Sequence, residues 1–321
     1  MIDWRSQRDL ALLTLEREKR QAFRVEAAEA LCDLAFDVPR ELLSELVPAV
    51  VRLVGDENPE VRCAGLALAA EALPNDEAKE LLIRHVTDPI PRLRIEAIGR
   101  LADLALPETR GVFAAALGDA VLGARFEAAR GMAALKHSAG LEVLLAALDD
   151  GELRFRAGAA LAQLGDAAAI GKLKQVFQGW FIPPFDRTQL AGALAKLGDA
   201  TGTAHLFKRA GKRWSLDRAM AIELLGEVKA EGARARLLEV LHDPKDTCRG
   251  AAGRGLGLLG DLTVEPELLK ALDHGALSDD DRLDVAEGLL RLDSPGARDF
   301  VALLHFETDD ARAQLAEMLA P

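Results

Sequence analysis

The chain has 321 residues, half of them hydrophobic but only 4% aromatic, with no tyrosine and 27 glycines, which favours many thin helix-to-helix contacts over one thick core. A net charge of −12 and a pI near 5.1 exclude binding of nucleic acid over the whole surface, because phosphate binding needs clustered lysine and arginine. Cys32, Cys63 and Cys248 are dispersed and odd in number, which excludes a disulfide framework and a zinc site; they read as small buried hydrophobes in a reducing compartment.

Taken from the N-terminus, residues 1–20 are charged throughout, unlike a signal peptide. No uncharged run approaches the ~18 to 20 apolar residues of a membrane helix, so a cytoplasmic protein is expected. Arginine outnumbers lysine 29 to 11, which with the alanine and glycine bias suits a GC-rich bacterial genome. Trp4 and the polar run 16–21 suit an N-terminal capping repeat over 1–36.

From Arg24 a pattern begins that recurs down the chain. RVEAAEALCDL, RIEAIGRLADL, RFEAARGMAAL and RGAAGRGLGLL each open on arginine, place small or apolar residues three and four later, and apolar residues seven and usually ten later. That is one face of a helix. Alignment on it gives Arg24, Arg62, Arg94, Arg125, Arg154, Arg187, Arg218, Arg249, Arg282 and Arg312, spaced 29 to 38 residues apart. A second apolar-periodic stretch precedes each, as in EAKELLIRHV, AGLEVLLAAL and ARARLLEVLH. Between repeats, Leu164-Gly165-Asp166, Leu197-Gly198-Asp199 and Leu259-Gly260-Asp261 supply a glycine stop and an aspartate cap for the next helix. The chain therefore reads as all-α, about ten helix pairs, ending in a capping repeat over 295–321.

The tryptophan, tyrosine and proline pattern of tetratricopeptide repeats and the Thr-Pro-Leu-His of ankyrin repeats are both absent. The Arg-x-x-Ala-x-x-x-Leu helix, the Leu-Gly-Asp turn and the preceding Asp-Pro instead resemble the short HEAT-like repeats of the phycobilisome-lyase type, over essentially the whole chain. The resemblance implies a right-handed α-solenoid, a single domain over 1–321, with the second helix of each pair lining the concave surface. It also implies a ladder of turn aspartates and helix-opening arginines. Asp56, Asp88, Asp119 and Asp243 stand six residues before their arginines and Asp149 five before Arg154, while repeats six, seven, nine and ten lack the aspartate.

On that surface the exposed positions of the second helices are Glu26, Glu29 and Asp33, then Glu71, then Glu96, Arg100 and Asp103, then Glu127 and Arg130. This first half of the groove is mainly acidic. Arg156, Gln163, Gln189 and Lys196 interrupt the acidity before Glu223, Glu227, Asp284 and Glu287 restore it. Solvated polar faces of ordinary helices would give the same pattern; an acidic groove would also suit a partner protein with a basic segment.

Residues 167–215 form a second feature, with eight lysines or arginines against Asp186 and Asp199 and six of the chain's aromatics. Within it residues 178–186, QGWFIPPFD, read as an aromatic insertion in repeat six whose two prolines forbid helix and whose apolar side chains must pack on something. It and KRAGKRW, residues 208–214, should lie on one edge, about 10 Å apart. Trp180, Phe181, Phe185, Lys208, Arg209, Lys212, Arg213 and Trp214 are the candidate binding edge, aromatic anchors beside cations. The alternative is a loop folded back over the edge of the stack.

Histidines 85, 137, 205, 242, 274 and 305 read as surface residues in first helices and turns, and no His-Glu pair repeats, so the residues that hold di-iron in HEAT-like hydroxylases are missing. A mainly acidic groove is also unlike the basic groove of HEAT-like DNA glycosylases. No phosphate-binding glycine loop, nucleophile elbow or metal-ligand cluster is present. The expectation is a non-catalytic scaffold or adaptor that binds one or more proteins, without cofactor. The second reading is an enzyme or sensor acting on an anionic, phosphorylated or nucleic ligand at the basic edge.

Overall fold

The computed structural model describes residues 4–38, 40–273 and 277–319, without the side chains at 36, 37, 40 and 41. His274 and the outermost residues of the two expected caps, 1–3 and 320–321, lie outside the described residues. Among the described residues there are twenty α-helices and no strand, as the helical periodicity requires. The chain divides after Ala146 into two compact units.

The first unit holds α1 (Trp4–Arg17), α2 (Gln21–Asp37), α3 (Val47–Val54), α4 (Pro59–Ala72), α5 (Asn75–His85), α6 (Pro91–Leu104), α7 (Arg110–Ala116), α8 (Leu122–Ala134) and nearly all of α9 (Leu141–Ala147). From α1 to α8 each odd helix packs on the even helix after it, and the even helices pack in series, α2 on α4, α4 on α6 and α6 on α8. In α2 the residues three, four, seven and ten after Arg24 are Ala27, Ala28, Leu31 and Leu34, all buried.

The second unit continues with α10 (Arg154–Leu164), α11 (Ile170–Phe177), α12 (Pro184–Lys196), α13 (Ala200–Ala210), α14 (Arg218–Glu227), α15 (Ala233–His242), α16 (Arg249–Leu259), α17 (Glu265–Asp273), α18 (Asp279–Arg291), α19 (Ala297–Ala302) and α20 (Asp309–Leu319). The same rule holds: α11 to α20 pair in order, and α10, α12, α14, α16, α18 and α20 pack in series. Each unit is thus stacked as an α-solenoid is, pair upon pair.

The Leu-Gly-Asp turns work as their residue types require. Gly165, Gly198 and Gly260 take the left-handed φ values of 77°, 84° and 72° that end α10, α12 and α16. Asp166, Asp199 and Asp261 each accept a hydrogen bond from the backbone N–H two residues on, opening the next helical turn.

All ten repeat arginines lie in even helices, as the fourth residue of α2, α4, α6, α8, α12, α18 and α20 and as the first of α10, α14 and α16. In the first unit the ladder follows the spacing at Asp56 and Asp119 but not at Asp88, whose carboxylate stands 3.4 Å from His85 instead of pairing with an arginine. Arg24 pairs with Asp56, Arg62 donates to the Asp56 carbonyl at 2.8 Å, and Arg94 holds Asp119 through two bonds of 2.8 and 2.9 Å. Each aspartate also accepts the N–H two residues on, so one side chain shapes the turn and joins two repeats.

In the second unit the carboxylates are displaced, and the expected pairs at Asp149 and Asp243 are not the ones that form. Asp149 binds Lys172 at 2.7 Å and Asp243 binds Arg213. The ladder partners are Asp186, on Arg154 at 3.3 Å, and Asp246, which holds Arg218 through bonds of 2.5 and 2.7 Å. Before α16, which begins at its arginine, the turn is longer and Asp246 stands three residues from Arg249, whereas Asp186 lies inside α12, next to Arg187. Nor is repeat seven without a carboxylate, since Asp217 is buried and accepts from Thr188 at 2.5 Å.

Glycines set a second difference. A β-carbon at Gly226 would stand 2.0 Å from the Gly255 carbonyl oxygen, and one at Gly257 would stand 2.3 Å from that of Gly288. Helices α14, α16 and α18 therefore meet backbone to backbone, which offsets the roughly 1 kcal/mol that each mid-helix glycine costs.

Candidate functional site

On the first unit α2, α4 and α6 line a depression of about 340 Å³. Glu29 and Asp33 come from α2, Glu60 from α4, and Arg92, Glu96 and Arg100 from α6. Four carboxylates against two guanidinium groups leave this floor at −2. The structure thus brings together four of the expected groove residues, Glu29, Asp33, Glu96 and Arg100, and adds Glu60 and Arg92, which pair with each other.

The charges differ in how far they are committed. Glu96 binds Arg100 at 2.8 Å. Further along, Arg130 binds Asp103 and Glu127 at 2.8 Å each and donates to the Gly99 carbonyl at 3.2 Å, which leaves Glu127 buried rather than presented to a partner. Glu26, Glu29, Asp33 and Glu71 are exposed and make no ion pair among the described residues. Cys32 and Cys63 sit in the same depression. Burial pushes each thiol up to about 11, so both stay protonated, and Cys32 donates to the Ala64 carbonyl at 3.2 Å.

The second candidate lies on the second unit. Pro184 does not forbid helix; it is the first residue of α12, where its missing N–H has no helical partner to lose. Phe185 and Asp186 are therefore helical and the loop is shorter than its sequence suggests. Trp180, Phe181 and Trp214 are 94%, 98% and 94% exposed and Phe185 46%, so the segment is not folded back over the stack.

What does pack inward from this segment is Ile182. With Phe177, Pro184, Arg187, His205, Lys208, Arg209, Lys212 and Asp217 it encloses a pocket of about 430 Å³ between α11, α12 and α13. The 178–186 and 208–214 segments do meet on one edge, as their places in the helix pairs predict. Arg209 is held by Asp217, with Nε to Oδ2 at 2.8 Å, and by Ser215; Arg213 is engaged by Asp243. Lys208 and Lys212 are exposed and make no ion pair among the described residues. Burial alone would raise the Asp217 carboxyl, but hydrogen bonds from Arg209, Ser215 and Thr188 outweigh it and hold it down at about 2.

His205 is not a surface residue. It is half-buried, its ring stands edge-on to Phe177 with centroids 5.1 Å apart, and its buried Nε2 has no hydrogen-bond partner. Burial, then the nearby Arg209 charge, lowers it to about 4, so it is neutral at pH 7. The signal was present: position 205 falls three after buried Gly202 and next to buried Leu206, on the inward stripe of α13.

Among the described residues no group of three or more His, Cys, Asp or Glu is placed to hold a metal ion, and no helix is long and apolar enough to cross a membrane.

The sequence pattern of the PBS lyase HEAT-like repeat matches residues 124–150. No curated protein matches the chain. Among solved structures, the complex of CpcE and CpcF of phycocyanin lyase from Nostoc sp. is similar at 19% identity and a TM-score of 0.48, over 74% of this chain and 93% of that one. Human deoxyhypusine hydroxylase is similar at 17% identity and a TM-score of 0.34, over 79% and 98%. An engineered protein is similar at 17% identity and 0.37, over 98% and 97%. The matched segment begins one residue before Arg125, on the same arginine helix that recurs from α2 to α20. Among the described residues the chain is all-helical and stacked in helix pairs, and it carries a PBS lyase HEAT-like repeat over residues 124–150.

Proposed function

We propose that the chain is a non-catalytic, cytoplasmic scaffold or adaptor that holds a basic segment of a partner protein in the groove of α2, α4 and α6. The observation that supports this most is the set of uncommitted carboxylates, Glu29 and Asp33, which account for the −2 of the depression's floor, and Glu26 and Glu71, which do not line it. Arg92 and Arg100 are engaged by Glu60 and Glu96, so they do not cancel that field. Such a surface steers a cationic segment and selects against an anionic one more than it adds affinity.

Fluorescence anisotropy with a labelled nonalysine peptide tests it. The Glu29→Lys, Asp33→Lys variant is expected to bind at least about tenfold more weakly, since two reversed charges each remove a contact worth about 1 kcal/mol. Glu231→Lys, an exposed acid outside the groove, is expected to change nothing. Equal binding by all three proteins would refute the groove. A second reading, an enzyme or sensor for an anionic ligand, is favoured by the pocket on the second unit, where Lys208 and Lys212 have no carboxylate partner.

A further inference from the structure

The pocket between α11, α12 and α13 differs in kind from a solvated basic face. Arg187, Lys208, Arg209 and Lys212 line it against the single carboxylate of Asp217, so its wall carries +3. Arg209 and Asp217 satisfy each other. Arg187 donates to the Gly179 carbonyl at 2.7 Å, and among the described residues neither it nor either lysine pairs with a carboxylate. Three cations in one concave site repel each other and lower the cost of admitting an anion of more than one charge.

The lining also has an apolar part, formed by Phe177, Ile182 and Pro184. His205 belongs to the same lining, its ring edge-on to that of Phe177. A volume of about 430 Å³ is that of a small-molecule site, not of a duplex or a folded partner.

We propose that this pocket binds a small phosphate monoester carried on an aromatic or aliphatic body. The phosphate, close to a dianion at neutral pH, is held by Lys208, Lys212 and Arg187. The body lies on Phe177, Ile182 and Pro184. A carboxylate would leave two of the three cations unmatched. Binding here deepens the second reading above and shares no residue with the groove of α2, α4 and α6, so the failure of either is seen separately.

The test is calorimetric titration of the full chain with 1-naphthyl phosphate at pH 7.5. Saturable one-to-one binding is expected, weakened at least about tenfold in Lys208→Ala, Lys212→Ala, as loss of two charge-assisted contacts requires. Both lysines are exposed, so the variant keeps its fold, and Lys245→Ala, Lys270→Ala serves as a charge-matched control that binds like the native chain. Inorganic phosphate and 1-naphthol are each expected to bind at least about tenfold more weakly than the ester that combines them. Absence of saturation with the native chain, or unchanged binding in the Lys208, Lys212 variant, would overturn the site. Binding of 1-naphthoate as tight as that of the ester would overturn the assignment to phosphate, and inorganic phosphate binding as tightly would overturn the role of the apolar wall.

Discussion

The two units carry the same repeat, yet their charges are organised differently. In the first, the ladder keeps the six-residue spacing at Asp56 and Asp119, and the arginines of the groove are engaged by carboxylates on their own helix or on the even helix before it, so what is left over is acid. In the second, the ladder moves to Asp186 and Asp246, the inner helices α14, α16 and α18 touch at glycine, and what is left over is base, at Lys208 and Lys212. The lesson is that a patch of charge in sequence says little until its partners are known. Arg209, Arg213, Lys208 and Lys212 look alike in KRAGKRW, and half of them are spoken for.

The largest effect should come where that comparison is sharpest, at the glycine contacts. Gly257→Val is expected to cost about 4 kcal/mol or to prevent folding, because the new side chain meets backbone and not a movable side chain; urea unfolding reads it.

Next come the ladder aspartates. Asp246→Asn is expected to cost about 3 kcal/mol, the price of stranding a buried Arg218, and Asp56→Asn a similar amount through Arg24. Asp243→Asn should cost less than about 0.5 kcal/mol, since its pair with Arg213 is exposed. A reversed order of Asp246 and Asp243 would restore the six-residue ladder in the second unit and break the comparison.

Acid should act on the pocket in two steps. His205 has a folded value of about 4, below its unfolded value of 6.5, so the folded state binds fewer protons and stability falls as pH drops from 6.5 towards 4. Arg209, Arg187 and Lys208 face the ring and oppose its protonation, with Asp217 favouring it. Asp217, held at about 2, adds a further loss as pH falls from 3.8 to 2. Melting temperature against pH should lose its upper step in His205→Phe. The smallest effect is expected from Trp180→Ser, below about 0.5 kcal/mol, because the ring is 94% exposed.

Much of this was legible in the residues. The arginine period placed all ten even helices, and the Leu-Gly-Asp turns gave the stops and caps, because glycine φ and aspartate capping are decided within a few residues. The six-residue rule fails at α16, which begins at its arginine with Asp246 three residues before it, and at α12, where Asp186 stands next to Arg187 inside the helix. Pro184 reads as a breaker in the sequence but opens α12, an ambiguity proline always carries. The stripe of Gly202, Leu206 and Ala210 points His205 inward, but its neighbours there, Phe177 of α11 and Ile182, come from other segments and are not legible from α13 alone.

The most direct test is to titrate the native chain, the Glu29→Lys, Asp33→Lys variant and the Lys208→Ala, Lys212→Ala variant with the nonalysine peptide and with 1-naphthyl phosphate. Two independent surfaces of opposite charge predict that each variant loses one ligand and keeps the other. If either variant loses both ligands, or neither loses any, the account is contradicted.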